Sequence, residues 1–224
     1  MRRTRGLFIV GTDTGVGKTR VSCLLARTMF RRGIRAGVMK PYLSGGWSDA
    51  RSLRRAAGVR DSLRRIAPAF YNRPLAPWPA SWFQKESRSF GSVMRAIRGV
   101  SADYDFLIVE GIGGVRVPLS KRRSVSDMLR AFRWPVWVVA RPGLGTINHT
   151  LLTLEHLSRC GVRVRAVVLS GYDPEDPTHR TNERVLRALA KVRVVTLPRF
   201  RLSARSLDRL SGPFWKRMKR MIGP

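Results

Sequence analysis

Short apolar runs alternate along the chain with stretches that carry apolar residues every three or four positions. The second pattern is clearest at Val21, Leu24, Leu25 and Met29, which would share one face of a helix. Apolar runs separated by helices are typical of the crossover units of a parallel sheet. The alternation therefore predicts an α/β fold, a doubly wound, mainly parallel sheet with helices on both faces. The predicted strands are residues 6–10, 36–40, 105–111, 135–140, 164–169 and 192–196.

The other segments are predicted to be helices, one irregular stretch and a basic tail. Residues 66–87 hold four prolines and two tryptophans, too apolar a composition for a free linker, and we expect them to pack beside the site. No internal repeat or domain boundary is visible, so residues 1–224 are predicted to form a single domain with a basic tail from about residue 201. The predicted helices are residues 21–32, 50–57, 91–99, 150–160 and 182–190.

A glycine-rich turn follows the first predicted strand. Residues 11–19 read GTDTGVGKT and run directly into a helical pattern. Glycines in this turn let the backbone approach an anion, and N–H groups at the helix start point towards it. Lys18 would reach the outer phosphates, and Thr19 would give its hydroxyl to Mg²⁺. The first glycine of the usual G-x-x-x-x-G-K-[ST] pattern falls at Thr12 here, yet strand, loop and helix together favour a P-loop NTPase-like nucleotide site over a plain turn.

Three further polar residues lie where predicted elements meet. Pro41 forces an extended exit after Lys40, which places this lysine at the carboxyl edge of the sheet, where α/β proteins bind ligands. A solvated strand end is the alternative for Lys40. Glu110 ends a run of four apolar residues, a buried position that is costly unless a metal or a basic partner lies beside it. Asp49 begins a basic helix and would either bind a metal or cap that helix.

A second glycine turn follows the predicted strand at residues 135–140. Residues 141–148 read RPGLGTIN and lead into another helical pattern. This turn could hold an anion on backbone N–H groups, as the first one could, although no lysine marks it.

The composition is strongly basic. Forty-four Lys and Arg against 14 Asp and Glu give a formal net charge of +30, a balance that prompts a nucleic-acid hypothesis. The arginines are nevertheless spread along the whole chain. The densest group outside a helix face is Lys121–Arg123, and residues 215–220 form a basic amphipathic end. A solvated basic surface is the leading interpretation and polyanion binding the alternative, so nucleic acid is not the expected partner.

The length of the apolar runs and the positions of the two cysteines bear on the cellular compartment of the protein. No run reaches the ~18 residues of a membrane span, and the first residues do not read as a signal peptide. We therefore expect no membrane association and a cytoplasmic protein. Cys23 and Cys160 both fall in helical patterns, which favours buried thiols over a disulfide framework.

Several separated motifs resemble the dethiobiotin synthetase family, with the resemblance covering roughly residues 6–198. Their order and spacing are far more specific than the phosphate loop alone. The motifs are Gly11–Thr19, Lys40–Pro41 with Ser44–Gly45, Asp49, Glu110–Gly114 with Val117–Leu119, and Gly143–His149.

The resemblance implies the substrates 7,8-diaminopelargonic acid, CO₂ and ATP with Mg²⁺. In that family one amine takes up CO₂ as a carbamate, and the carbamate oxygen attacks the γ-phosphate. The second amine then displaces phosphate from the mixed anhydride and closes the cyclic urea of dethiobiotin. The family also implies a homodimer, because the turn that holds the far carboxylate of the substrate comes from the other subunit.

The resemblance also implies a role for individual residues. The catalytic residues would be Lys18, Lys40 and Thr14. The nucleotide would contact Gly15, Val16, Gly17, Lys18, Thr19, Glu110, Gly113, Ser170 and Pro198. The diamine would contact Thr14, Ser44, Gly145, Thr146, Ile147 and Asn148. The Mg²⁺ ligands, direct or through water, would be Thr19, Asp49 and Glu110.

Two positions depart from the family pattern. Ser170 stands where members commonly carry an asparagine that reads adenine. A hydroxyl cannot give the paired donor and acceptor of an amide, so the preference for ATP over other nucleotides is left open. Asn182 stands where some members place a tyrosine against the substrate carboxylate. The family explains neither the charge nor the tail from Arg201 onward.

Other classes of P-loop protein fit less well. A partition-type ATPase that dimerises on DNA would suit the charge, but its loop carries a second lysine where this chain has Asp13. Cobyrinate-type amide synthases need a glutaminase domain, for which 224 residues leave no room. A family member that binds ATP poorly and has acquired a binding role is the third alternative.

Overall fold

The computed structural model describes residues 5–84 and 88–222. Within these ranges strands and helices alternate along the chain. The strands are β1 (Arg5–Gly11), β2 (Ala36–Met39), β3 (Tyr42–Ser44), β4 (Ala69–Tyr71), β5 (Phe106–Gly114), β6 (Pro118–Ser120), β7 (Arg123–Ser124), β8 (Val136–Ala140), β9 (Val164–Tyr172) and β10 (Arg193–Pro198). The helices are α1 (Lys18–Phe30), α2 (Ser48–Ala57), α3 (Leu63–Ile66), α4 (Pro77–Ser81), α5 (Phe90–Ala102), α6 (Val125–Phe132), α7 (Thr146–Arg159), α8 (Pro177–Leu189) and α9 (Ala204–Ile222).

Six parallel strands form the central sheet, in the order β10-β9-β8-β1-β5-β2. The strand β1 lies between β5 and β8, so its carboxyl end opens at the middle of the sheet. The chain turns outward from this strand in both directions, which is the switch point where ligands bind in such sheets. The sequence prediction of a doubly wound, mainly parallel sheet is confirmed.

Two hydrophobic cores cover the two faces of the sheet. Along β1, Leu7 and Ile9 point into one core, while Phe8 and Val10 point into the other, as the strand period of two requires. The helices α1, α2 and α9 pack on the first face, and α5, α6, α7 and α8 on the second. Helices on both faces explain why the central strands are apolar without alternation.

Several element boundaries differ from the prediction. The helix predicted from residue 21 begins at Lys18, the helix predicted from residue 150 begins at Thr146, and the helix predicted from residue 182 begins at Pro177. The residues missed at these three starts hold a single branched aliphatic side chain among them, Ile147 of the second of these helices, so apolar periodicity does not reveal them. The segment predicted to be irregular contains β4 and α4, while its last three residues, 85–87, lie outside the described part of the chain.

The basic tail folds as α9, a helix of 19 residues. Its apolar side packs on α1 and under the sheet, where the side chains of Phe214 and Met218 are buried. Trp137 of β8 donates a hydrogen bond from its indole nitrogen to the carbonyl of Met221, 3.4 Å away. The tail therefore completes the first core.

The two cysteines are free thiols in the structure. Cys23 is fully buried in α1, as predicted. The prediction was wrong for Cys160, which ends α7 and is only partly buried, because the end of that helix reaches the surface.

Candidate functional site

The phosphate loop joins β1 to α1. Gly15 and Gly17 take left-handed backbone angles, with φ values of 70° and 101°. Gly17 is the N-cap of α1, whose first turn holds no acidic residue. Any side chain at Gly17 would also collide with Ser170, since a Cβ there would lie 2.4 Å from its hydroxyl oxygen. The loop thus needs glycine on two grounds, and its N–H groups are left for an anion.

Lys18 folds back over this loop. Its ammonium donates a hydrogen bond to the carbonyl of Asp13 at 2.6 Å. Burial lowers the pKa of Lys18 to about 8, although the nearby Glu110 carboxylate acts in the opposite direction. An anionic ligand would further stabilise the charged form, so this lysine is suited to a phosphate.

Lys40 and Glu110 meet because their strands are neighbours. Met39 of β2 pairs with Val109 of β5, which brings the next residue of each strand to the same edge. The Lys40 ammonium lies 2.7 Å from Oε1 of Glu110, a side chain with no exposed surface. The Thr19 hydroxyl donates to the same oxygen at 2.7 Å, and Lys40 also bonds Asp49. The alternative of a solvated strand end for Lys40 is therefore excluded.

The two carboxylates keep Lys40 charged. Burial lowers the pKa of Lys40, but Glu110 and Asp49 together outweigh this effect and raise it above its usual value. Oε2 of Glu110 has no hydrogen-bond partner in residues 5–84 and 88–222. A fully buried carboxylate oxygen without a partner is costly and is therefore available to a ligand.

Asp49 does not cap its helix. The N-cap of α2 is Trp47, without a side-chain cap hydrogen bond, and Asp49 lies inside the first turn with its carboxylate on Lys40. The metal-ligand interpretation thus remains for Asp49, and the capping alternative was wrong.

A cavity of about 420 Å³ opens over the phosphate loop. Its lining brings together nine of the residues predicted for the site, from α1, α2 and the ends of four strands or loops. These are Thr14, Gly15, Gly17, Lys18, Thr19, Lys40, Ser44, Asp49 and Gly113. Glu110 lies behind this wall, where it bonds Lys40 and Thr19.

Five lining residues were not predicted. Arg20 could have been found, because it directly follows Lys18 and Thr19 at the helix start. Leu202 comes from the segment between β10 and α9, and no pattern in the sequence places that segment over the loop. The five residues are Arg20, Leu43, Ser52, Ile112 and Leu202.

Several predicted nucleotide contacts lie outside this lining. Val16 is buried within the loop, and Ser170, also buried, lies against Gly17. Pro198 is exposed at the end of β10, opposite Tyr172. Ser170 and Pro198 thus lie at the carboxyl ends of neighbouring strands, on the same edge of the sheet as the loop.

The predicted diamine turn at the start of α7 does not line the cavity. Gly145 is a left-handed N-cap with a φ of 85°, Thr146 is buried, Ile147 is half-buried and Asn148 is exposed. Asn182 holds the preceding loop, because its side-chain amide donates to the carbonyls of Pro142 and Gly143 at 2.8 and 3.1 Å. Arg141, at the start of this loop, reaches Asp13 of the phosphate loop at 3.1 Å.

A larger cavity, of about 580 Å³, lies between the end of α7 and the segment that joins α8 to β10. No residue predicted for the site lines it, and its walls are mainly aliphatic. The charged groups converge on the smaller cavity, which is therefore the candidate functional site.

Comparisons with known proteins agree with this geometry. A family model described as an AAA domain matches residues 5–201. The ATP-dependent dethiobiotin synthetase BioD of Endomicrobium trichonymphae is 37% identical over 198 residues, which cover 86% of this chain and 92% of the relative. The enzyme of the same name from Anaeromyxobacter dehalogenans (strain 2CP-C) is 44% identical over 176 residues, covering 77% and 79%.

A solved structure shares the fold at low sequence identity. The structure of pNOB8 ParA bound to nonspecific DNA aligns with a TM-score of 0.56 and 11% identity, covering 95% of this chain and 92% of that chain. Sheet order, glycine loop and buried lysine define an α/β P-loop nucleotide-binding protein. Among such proteins, the chain belongs to the dethiobiotin synthetase family, as the two curated relatives establish.

None of the helices within residues 5–84 and 88–222 combines the length and the apolar composition that a membrane span requires.

Proposed function

We propose that this chain catalyses the ATP-dependent conversion of 7,8-diaminopelargonic acid and CO₂ to dethiobiotin, ADP and phosphate. Family membership supports this reaction, since the relatives carry the name dethiobiotin synthetase. The observation that carries the proposal is the convergence of Lys18 and Lys40 on one cavity over the phosphate loop, with Glu110 behind them. Two ammonium groups suit a reaction in which a triphosphate and a carbamate, both anions, must approach each other.

The reaction has three steps. One amine of the substrate adds to CO₂ and loses a proton, which gives a carbamate. A carbamate oxygen then attacks the γ-phosphorus, and ADP leaves. The second amine attacks the carbonyl carbon of the mixed anhydride, loses a proton and expels phosphate, which retains the bridging oxygen. Lys18 and Lys40 stabilise the charge that builds up on the transferred phosphoryl group.

Each lysine has a separate task. When the nucleotide binds, the Lys18 ammonium donates to a phosphate oxygen instead of the Asp13 carbonyl. Lys40 is held by two carboxylates and cannot turn away, so it offers a fixed charge to the carbamate and the γ-phosphate. Thr14 and Ser44, on the cavity wall, hydrogen-bond the carbamate and the diamine.

Thr19, Asp49 and Glu110 fit a Mg²⁺ ion. The described residues hold no group of three His, Cys, Asp or Glu side chains that would form a metal site by themselves. Two carboxylates and a hydroxyl are nevertheless the hard oxygen donors that Mg²⁺ takes together with phosphate oxygens, and Oε2 of Glu110 is free for this role. When bound, Mg²⁺ neutralises charge on the phosphates.

The nucleotide lies along the loop and the neighbouring strand ends. Backbone N–H groups of Gly15, Val16 and Gly17 bind the phosphates, and Gly113 forms part of the facing wall. The base extends towards Ser170 and Pro198. Because Ser170 lacks an amide, selection of adenine is expected to be weaker than in relatives with asparagine.

We also propose a homodimer in which the turn Gly145–Asn148 of each subunit contributes to the site of the other subunit. Two observations support this. The turn does not line the cavity of its own chain, and the apolar side chains of Leu144 and Leu152 beside it are 91% and 57% exposed. Apolar surface of this kind is typical of a protein interface.

Mixed dimers test the shared site. Lys40→Ala and Asn148→Ala each impair the two sites of their homodimers. A heterodimer of the two variants, however, has one site with both defects and one without any. Subunit exchange should therefore restore about a quarter of the wild-type rate. No recovery, with exchange verified by mass spectrometry, would contradict a shared site.

The cytoplasm is the proposed location. Both cysteines are free thiols, in keeping with a reducing compartment, and ATP is available there.

The activity is tested by phosphate release with MgATP and bicarbonate, with and without 7,8-diaminopelargonic acid, and by detection of the dethiobiotin mass in the same tube. We expect phosphate release to require the diamine and to match dethiobiotin one to one. Release without the diamine, or no product mass, would contradict the proposal.

The partition-type ATPase gains little support. Asp13 replaces the second lysine of that loop and is bound to Arg141 within the same chain, where it adds negative charge beside the phosphates. The likeness to ParA, at 11% identity, concerns the fold alone.

A further inference from the structure

Five exposed basic side chains lie along one face of α9. At 3.6 residues per turn they fall within an arc of about 100°, and they span about 22 Å along the helix axis. The opposite face is buried through Leu207, Phe214 and Met218. We call these five residues the basic stripe: Arg205, Arg209, Lys216, Lys219 and Arg220.

No acidic side chain of α9 compensates the stripe. The acidic residue of this helix, Asp208, faces α1 and is bound there by Arg27 at 2.7 and 2.9 Å and by Arg31 at 3.3 Å. Arg205 repels Arg209, and Lys216 repels Arg220, because each pair lies four residues apart on the same side of the helix. Such like-charge pairs lower the stability of the helix. The fold thus keeps a repulsive row of cations at its surface.

The basic surface continues from the stripe to the edge of the sheet. Arg217, beside the stripe, donates to the Thr196 carbonyl of β10 at 3.5 Å. Together with Arg193 and Arg187 it lines a cavity of about 270 Å³ on this edge strand. Of these three arginines, Glu183 neutralises only Arg187, whose guanidinium donates two hydrogen bonds to Oε1 of Glu183 at 2.7 and 2.9 Å.

We propose that the basic stripe binds the phosphate backbone of nucleic acid. None of its residues lines the cavity over the phosphate loop, so the proposed reaction does not use them. Three of the five are arginines, which bind phosphate through a planar pair of N–H groups. A row of about 22 Å reaches several successive phosphates, and contacts to the backbone alone carry no sequence preference.

A membrane surface fits this helix less well. An amphipathic helix binds lipid by burying its apolar face among the acyl chains. In α9 that face is already covered by α1 and the sheet, and Trp215 is partly buried with Arg32 above its ring, 4.6 Å from the centroid. The exposed side therefore offers charge without an apolar anchor.

A matched pair of variants tests the proposal. The stripe variant carries Arg205→Gln, Arg209→Gln, Lys216→Gln and Arg220→Gln. The control variant removes four exposed arginines from other elements and thus lowers the net charge by the same amount. Its substitutions are Arg54→Gln, Arg60→Gln, Arg95→Gln and Arg130→Gln.

Binding is measured by fluorescence anisotropy with a labelled DNA duplex of about 20 base pairs and arbitrary sequence, from about 0.05 to 0.3 M KCl. We expect wild-type binding in the micromolar range at about 0.1 M salt, at least about tenfold weaker binding by the stripe variant, and less than about threefold weaker binding by the control. The magnitude of the slope of log K against log salt should fall by about 3.6 in the stripe variant, because each of the four lost phosphate contacts removes about 0.9.

Equal losses in both variants would overturn the proposal, since they would reflect net charge alone. Absence of wild-type binding at about 0.1 M salt would do the same. Binding to vesicles of phosphatidylcholine and phosphatidylserine is measured in parallel. If the vesicles bind through the stripe and DNA does not bind, the ligand of the stripe is a membrane surface and the nucleic-acid proposal is wrong. Both variants should keep the wild-type turnover and should melt no lower than the wild type, because removing repelling charges does not destabilise α9. A loss of DNA binding would then not reflect a loss of folding.

Discussion

The Lys40 ammonium lies 2.7 Å from Oε1 of Glu110, a carboxylate with no exposed surface. The same oxygen accepts the Thr19 hydroxyl at 2.7 Å. This arrangement joins β2, β5 and α1 at one point and holds the lysine against the cavity wall. Oε2 of Glu110 meanwhile has no partner in the described part of the chain. One buried carboxylate thus fixes the ammonium that we propose to be catalytic and leaves an oxygen without a partner for the proposed Mg²⁺.

Lys40→Met should abolish turnover and also lower stability. It leaves the Glu110 carboxylate buried without its cation, a change that costs about 3–5 kcal/mol when a buried pair loses one partner. The double variant Lys40→Met/Glu110→Gln removes both charges and should regain much of that stability while remaining inactive. Thermal unfolding and turnover of both variants separate folding from chemistry. An active single variant would remove Lys40 from the mechanism.

Lys18→Ala should abolish turnover without loss of stability. The ammonium is buried and, among the described residues, donates a hydrogen bond to the Asp13 carbonyl, and burial lowers its pKa to about 8. Its removal therefore ends a desolvation cost in the ligand-free protein, and the melting temperature should stay the same or rise. Steady-state rates and ADP affinity provide the readout. Wild-type rates would show that Lys18 does not act on the phosphates.

Asp49→Ala should raise the Mg²⁺ concentration needed for half-maximal rate, by about tenfold or more. The carboxylate contacts Lys40 and lies in the cavity, and it caps no backbone group of α2. The helix should therefore keep its stability. Rates titrated with Mg²⁺ and a thermal melt measure the two effects. A melt that drops while the metal dependence is unchanged would assign Asp49 a structural role only.

Gly17→Ala should remove nucleotide binding. The backbone φ of 101° and the 2.4 Å approach to Ser170 leave no room for a Cβ. Gly99→Ala is the matched control, because this glycine lies inside α5 with open space around it, and alanine there should stabilise the helix by about 0.5–1 kcal/mol. Isothermal titration with ADP compares the two. Unchanged ADP affinity in Gly17→Ala would contradict the phosphate-loop geometry.

Asp208 should make the docking of α9 sensitive to acid. The hydrogen bonds from Arg27 hold the pKa of this carboxyl below its usual value. A depressed carboxyl pKa gives stability above the unfolded pKa of about 4, and this stability is lost as the pH falls through the folded-state pKa. Asp208→Asn should cost about 1 kcal/mol at pH 7, because the pair is partly exposed, and progressively less as the pH falls below about 4 and through the lowered folded-state pKa.

Denaturant unfolding across this pH range measures the difference between wild type and Asp208→Asn. Glu175→Gln removes an exposed carboxylate that forms no ion pair within residues 5–84 and 88–222 and should have no such effect. A cost that is the same at pH 3 and pH 7 would assign the loss to packing instead of charge.

The central sheet could be predicted because its strands are buried on both faces. Phe106, Leu107, Ile108 and Val109 are all buried, and such a run without alternation is typical of a strand between two layers of helices. The proximity of Lys40 and Glu110 could also be predicted from the strand pattern, because the carboxyl ends of parallel strands lie at the same edge of the sheet. The phosphate loop could be recognised from its glycines and its lysine alone.

Other features depend on packing that no local pattern records. Gly212 and Pro213 interrupt the apolar spacing of α9 and disfavour a helix, yet contact with α1 overrides that preference. Leu202 reaches the cavity only because α9 folds back on the sheet. The starts of α1 and α7 were missed because left-handed glycines, Gly17 and Gly145, precede first turns that carry no periodic apolar pattern.

The fate of the CO₂ oxygens tests the proposed chemistry most directly. Bicarbonate labelled with ¹⁸O is mixed with enzyme, MgATP and the diamine, and the phosphate is analysed by mass spectrometry before the label exchanges with water. If a carbamate oxygen attacks the γ-phosphorus, each phosphate formed retains one ¹⁸O, and the dethiobiotin carbonyl holds another. Unlabelled phosphate formed alongside labelled dethiobiotin would show that water takes the phosphoryl group and would contradict the mixed anhydride.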